Sequence, residues 1–319
     1  MGKADVAARE YLSDPARFAD LFNHGAFGGA GLVDPRELRA ADSASTSGGS
    51  EGRRDLMREW ARMEGCGATY ALLGVEEQTA GHPVMPARCA LYDAMAYAEQ
   101  VRGIAGRNRR EGMPGAASEE LLSGVWETDR LRPVVTLVLY LNAGDWGWPE
   151  TLHDTIGEAD PQLMALVPDY RVNLVVPARV SDDELDAYDT ELGLALKYVK
   201  HSKDGKELGR MVREDARYRS VGADTASFVN AVTGSRLRFE PDDGRVDMCK
   251  AIDDMRAESK REGMRDGLLE GMRMGRLEGA IVTLRALVED GIIAVSDAAA
   301  QAGMTVDEFE RASSELALS

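Results

Sequence analysis

Tyr70-Ala71-Leu72-Leu73-Gly74-Val75-Glu76-Glu77-Gln78 is an apolar run of strand length that ends in two acids and an amide. Such a run, bounded by small and polar residues, reads as a buried strand. Side chains alternate along an extended chain, so Glu76 and Gln78 project from the same face. A carboxylate beside an apolar strand is costly in a plain core. It makes sense at the rim of a cleft.

Upstream, Asp55 to Trp60 alternates as a strand does, and Met63 to Ala68 carries Gly65 and Gly67, which suits a hairpin turn. A hairpin would bring Asp55 near Glu76. Downstream, His82 to Val101 reads as a helix and residues 105–118 as a polar loop. Pro133 to Leu141 (PVVTLVLYL) is the most apolar run in the chain and reads as a buried central strand. A turn with Trp146 and Trp148 follows, then a strand over Tyr170 to Val176. Ser181 to Val199 reads as one helix, capped by Ser181, with Asp182, Asp183 and Glu184 at its positive end. At the start of the chain, residues 7–23 form a helix interrupted by Pro15, with Ser13 or Asp14 as cap. A glycine-rich loop covers 24–31. The order helix, hairpin, helix, central strand, strand, helix implies an α/β fold built on a mixed sheet with helices packed against it.

Composition sets the outer limits. The 319 residues suit one large domain and an appendage, here a core over 7–240, interrupted by a small, polar, flexible loop at 41–52, and a helical region over 249–319. Cys66, Cys89 and Cys249 lie far apart and only four histidines occur, which disfavours a disulfide framework or a structural zinc site. No apolar run approaches the roughly 18 residues of a membrane span, and Met1 to Asp5 lack the apolar stretch of a signal peptide. A cytoplasmic protein without a membrane partner is the expectation. The net charge of −17 argues against gripping DNA with the whole surface, because phosphate binding needs local cations. Arg102 to Arg110 and Lys197 to Arg219 are the segments that could line a basic groove; as an alternative they are solvated helix faces.

Two convergent carboxylates are what a magnesium ion needs, since Mg²⁺ prefers oxygen and takes one or two carboxylates, waters and phosphate oxygens. At this point the chain resembles a family. From about Tyr11 to Lys206 it is similar to the recombination-promoting nuclease/transposase family of the PD-(D/E)XK superfamily. The resemblance rests on Arg54-Asp55, on Tyr70 to Gln78, and on Met85-Pro86-Ala87-Arg88 with Tyr92-Asp93 and Tyr97. It continues through Pro133 to Tyr140 and Pro168-Asp169-Tyr170-Arg171-Val172-Asn173-Leu174.

The resemblance implies a restriction-endonuclease-like core and Mg²⁺- or Mn²⁺-dependent hydrolysis of DNA phosphodiester bonds, in the setting of recombination or mobile elements. It makes Asp55 the superfamily aspartate, Glu76 the glutamate, and the Glu77 backbone carbonyl a further metal contact. Gln78 stands where the family's usual lysine sits; a glutamine can orient a water but cannot donate an ammonium proton. Asp20, on the first helix, is an accessory acid. Arg88 contacts phosphate or Glu76, or is a plain helix-surface arginine. The rival reading is a catalytically inactive, nuclease-derived oligomeric scaffold, which the acidic balance favours.

The helical region has its own pattern. Gly263, Gly267, Gly271, Gly275 and Gly279 recur every four residues within a helix over 258–289. Glycine costs a helix about 1 kcal/mol relative to alanine. Four residues turn the helix about 400°, so the glycines form a slowly drifting stripe. Such a stripe admits close approach of another helix, and a homo-oligomer formed through this helix is the functional expectation. A weakly ordered helical linker is the alternative. A helical pair over 296–314, turning at Gly303, has the outline of a helix-turn-helix, but Asp307 and Glu308 stand where a DNA-reading helix wants cations. It reads as a packing module.

Overall fold

The computed structural model describes residues 3–41, 56–64, 67–112 and 118–317. The chain separates into two compact units, Met1–Ile252 and Asp253–Ser319.

The first unit begins with α1 (Lys3–Leu12) and α2 (Pro15–Gly25). Asp14 ends one and starts the other. Its side chain accepts from the amides of Ala16 and Arg17, and Pro15 takes the first helical position, where its missing N–H costs nothing. Then come β1 (Leu38–Ala40), β2 (Leu56–Glu64) and β3 (Gly67–Gln78). After them α3 (Met85–Glu111) and α4 (Ser118–Ser123) lead to β4 (Val134–Tyr140), and the short α5 (Pro161–Met164) leads to β5 (Asn173–Val175). The sheet order is β1-β2-β3-β4-β5. The first three strands are antiparallel neighbours, whereas β4 runs parallel to both β3 and β5. The fold is therefore mixed α/β, and β3 is the strand at which antiparallel pairing gives way to parallel.

Register assigns the faces. Gly74, Glu76 and Gln78 pair with Thr136, Val138 and Tyr140 and share one face with them. The helix α3 covers that face: Met85 and Cys89 pack with Val138, Tyr140 and Trp146, and Thr136 donates to Asp93 at 2.7 Å. The other face carries Leu73, Val75, Glu77, Leu139 and Val175. Gly25 of α2 lies against Val175, and α1 packs on β3.

The unit closes with α6 (Asp182–Asp186), α7 (Leu192–His201), α8 (Gly205–Glu214), a two-stranded sheet of β6 (Val221–Gly222) and β7 (Arg245–Val246), and, between those strands, α9 (Ala223–Thr233). Tyr11 of α1 stacks on Phe228 of α9 with ring centres 4.3 Å apart and shares a hydrogen bond with Thr225.

Several expectations need correction. Residues 105–111 continue α3 rather than forming a loop; Ala105 and Asn108 are buried, and Asn108 donates to the Gly124 carbonyl and to Asp129. The single helix expected over Ser181–Val199 is two. Ser181 does form a capping box with Glu184, but α6 stops at Asp186. The chain then turns so that Gly193 of α7 lies against the Leu185 carbonyl and Tyr188. The strand β1 was not foreseen. The turn at Gly65-Cys66 and residues 42–52 of the expected loop lie outside the described residues.

The long helix α10 (Met248–Glu289) starts in the first unit, where Met248, Ala251 and Ile252 are buried, and continues into the second. The second unit adds α11 (Val295–Ala302) and α12 (Val306–Ala317). Ile281 and Leu284 of α10 pack with Ala298, Ala299 and Phe309 to make its small core. Thr305 caps α12 reciprocally with Glu308. Ser296, expected as a cap, lies inside α11, which starts after Ala294 without a side-chain cap, one residue before the expected start. Among the described residues no helix is long and apolar enough to cross a membrane.

The contact at Gly193 generates a stability prediction. A Cβ there would stand 2.1 Å from the Leu185 carbonyl oxygen, which is backbone and cannot swing aside. Gly193→Ala should lower stability by about 3 kcal/mol in urea unfolding. A loss below about 0.5 kcal/mol would mean the α6–α7 connection shifts freely.

Candidate functional site

Glu76 and Glu77 occupy the last turn of the pleat before β3 ends, and the alternation sends them to opposite faces. Both are buried: Glu76 is 0% exposed and Glu77 3%. An ionised carboxylate taken out of water must be met by charge or hydrogen bonds. For Glu76 the cation comes from α3. Arg88 Nη2 lies 3.1 Å from Glu76 Oε2. Its Nε donates to the Tyr92 hydroxyl at 2.7 Å, which fixes the guanidinium. Tyr92 is one helical turn after Arg88, so the two side chains rise from the same side of α3. Arg88 thus stands in contact with Glu76.

Gln78 shares the Glu76 face, as alternation requires, and donates from Nε2 to the Glu77 carbonyl at 3.0 Å. Beyond it, the strand ends form a polar rim. Asn142, after β4, donates to the Thr79 carbonyl and accepts from Lys203 Nζ at 3.1 Å. The Trp148 indole lies against Gly81 and remains 45% exposed. The His82 imidazole is held below its usual range by burial and by the Arg88 guanidinium. His82, Asn142 and Trp148 escaped sequence reading as site residues, whereas Lys203 lies in the second basic segment. The position of His82, four residues after Gln78, was the one usable signal.

Asp55 lies outside the described residues. The β2–β3 pairing is seen as far as Leu56 opposite Val75.

Asp20 keeps other company than Glu76. It sits on α2, the helix that packs on the Glu77 face. Its carboxylate accepts from the amides of Asp189 and Thr190 at 3.1 and 2.9 Å and from the Thr190 hydroxyl at 2.6 Å. Burial pushes its carboxyl above the ordinary range despite these bonds.

Several cations of the two basic segments are matched by acids. Lys197 pairs with Asp186, Lys200 with Asp182, Arg210 with Glu207 and Glu214, and Arg217 with Asp215 and Asp186. Arg102 pairs with Glu99 and Arg107 with Asp129.

The burial of Glu76 makes its pair with Arg88 measurable. Removing one member of a buried pair strands the other charge, so Arg88→Ala should cost on the order of 3 kcal/mol. In a Glu76→Gln background the same change should cost less than half as much. Urea unfolding of the double-mutant cycle reads the difference, and additive effects would show that Arg88 does not carry the charge of Glu76.

Compared with known proteins, the chain matches no family model, no curated protein and no solved structure.

Proposed function

We propose that the first unit is a PD-(D/E)XK-type, metal-dependent DNA endonuclease domain centred on Glu76. The observation that carries this reading is a fully buried carboxylate at the end of β3, with Gln78 on the same face, where an antiparallel hairpin meets a parallel strand. An antiparallel meander, a helical crossover and a parallel strand are the arrangement that the family resemblance implies.

The donors suit Mg²⁺ or Mn²⁺. Glu76, Asp55 and the Glu77 carbonyl are all oxygen ligands, as a hard cation prefers. Glu76 already holds a cation in the form of Arg88, so its environment accepts positive charge. A bound metal would polarise the scissile phosphodiester and acidify a water. Gln78 would orient that water, moving its amide from the Glu77 carbonyl. Arg88, with 31% of its side chain exposed, can trade Glu76 for a DNA phosphate, the other partner its planar fork matches.

In a plasmid assay with Mg²⁺ or Mn²⁺, full-length protein should nick DNA, and Asp55→Ala and Glu76→Gln should each abolish nicking. Cleavage that survives both substitutions, or a clean protein that neither cleaves nor binds metal by calorimetry, overturns the reading. The second result favours the inactive scaffold, whose supporting observation is the pairing of surface cations with acids.

The tail supplies the assembly. A Cβ added at Gly263, Gly267, Gly271, Gly275 or Gly279 would meet nothing within 4 Å. Met264, Leu268, Leu269, Met272 and Met274 beside them are exposed. Five helix-weakening glycines interleaved with exposed apolar side chains on α10 are consistent with a second copy packing there. Light scattering should find full-length protein oligomeric, and Gly267→Leu with Gly271→Leu should make it monomeric without loss of helicity. An unchanged oligomer in that variant removes the stripe from the interface.

A further inference from the structure

We propose that Asp20, His24 and Asp189 form a second metal site, selective for zinc-class divalent ions and separate from Glu76. Asp20 and His24 lie one turn apart on α2, so their side chains emerge on the same face of the helix. Asp189 reaches them from the α6–α7 connection, 169 positions away from Asp20 in sequence. One ligand atom from each of the three residues falls within 4.8 Å of the other two.

The spacing favours an ion over a hydrogen bond. His24 Nε2 stands 3.5 Å from Asp20 Oδ1. A ring nitrogen hydrogen-bonded to a carboxylate closes to about 3 Å. Two ligands about 2.1 Å from one tetrahedral ion stand about 3.4 Å apart. The supporting contacts are those that metal ligands require. Thr190 holds Asp20 Oδ2 through its amide and hydroxyl, leaving Oδ1 with a single bond, from the Asp189 amide. A carboxylate has about four acceptor sites, so Oδ1 retains capacity for a metal. His24 is stacked on Tyr188 with ring centres 4.4 Å apart, which restrains the imidazole. Asp20 is only 2% exposed, whereas Asp189 is exposed and gives an ion a route in from solvent.

Ligand chemistry selects the ion. An imidazole with two carboxylates suits Zn²⁺, or Co²⁺ as its spectroscopic substitute, better than Mg²⁺ or Ca²⁺, which prefer all-oxygen shells. Three protein ligands leave a tetrahedral position for water. The site joins α2 to the start of α7 on the Glu77 face of the sheet, so its role is to clamp those helices together. The inference stands independently of the nuclease reading, because none of its ligands belongs to the Glu76 site.

The test is zinc content and zinc-dependent melting of the untagged full-length chain after dialysis against a chelator and reloading. The wild type should retain one zinc per chain and melt at a higher temperature with zinc than without. His24→Ala and Asp189→Ala should each weaken zinc binding by at least about a hundredfold, more than loss of a supporting group does. Each should lose the zinc-induced shift. The readout is that shift, not the midpoint, because His24→Ala also removes the Tyr188 stack. Glu76→Gln should keep both the zinc and the shift. Absence of zinc in the wild type, unchanged zinc in either ligand variant, or its loss in Glu76→Gln overturns the proposal.

Discussion

A charged carboxylate at the end of the central strand is the constraint around which the first unit is arranged. Glu76 has no exposure to water. Its charge has to be met from inside the protein, and the group that meets it comes from the next element in the chain. Arg88 can do so only if α3 starts close to the end of β3 and lies across the Glu76 face. The same placement brings Asp93 to Thr136 and Tyr170, tying α3 to β4 and to the segment before β5. Apolar packing by Met85 and Cys89 then closes the layer. Hydrophobic burial supplies the drive to cover the sheet, but it is indifferent to which way a helix runs across it. The Glu76–Arg88 pair and the Asp93 bonds fix that direction.

The other face solves a similar problem with different chemistry. Glu77 and Asp20 are both buried in the layer where α2 packs. Asp20 is anchored by the amides of Asp189 and Thr190 and by the Thr190 hydroxyl, so a carboxylate on α2 holds the connection that leads into α7. The tie connects residues far apart in sequence and brings the start of the unit against its later helices.

The legible parts of this architecture were those governed by local chemistry. Apolar runs at Tyr70–Val75 and Pro133–Leu141 announced the two strands at the heart of the sheet, and Pro15 beside Asp14 announced a helix boundary. Strand alternation placed Glu76 and Gln78 together. What stayed hidden depended on contacts between distant segments. A helix from Ser181 to Val199 is locally reasonable, yet the close approach of Gly193 to the Leu185 carbonyl breaks it. Residues 105–111 look polar enough for a loop, yet Asn108 is buried because Gly124 and Asp129 supply its partners. His24 was legible as a neighbour of Asp20 by its four-residue spacing, but nothing local connects either to Asp189. The single helix expected over Ser181–Val199 also hid the fact that Asp189 lies in a connection between two helices.

The distribution of charge bears on function more than its total does. A net charge of −17 suggests a surface that repels DNA. Among the described cations, Lys197 and Lys200 of α7, Arg210 of α8 and Arg217 after it are engaged by acids in their own neighbourhood. Lys203 instead reaches Asn142 at the end of the sheet. That end also bears the exposed Trp148 and the Arg88 guanidinium, a planar aromatic and a phosphate-matching fork within the same rim. On the proposed nuclease reading, this rim is the edge of the sheet at which a phosphate backbone would be held, and Glu76 lies just inside it.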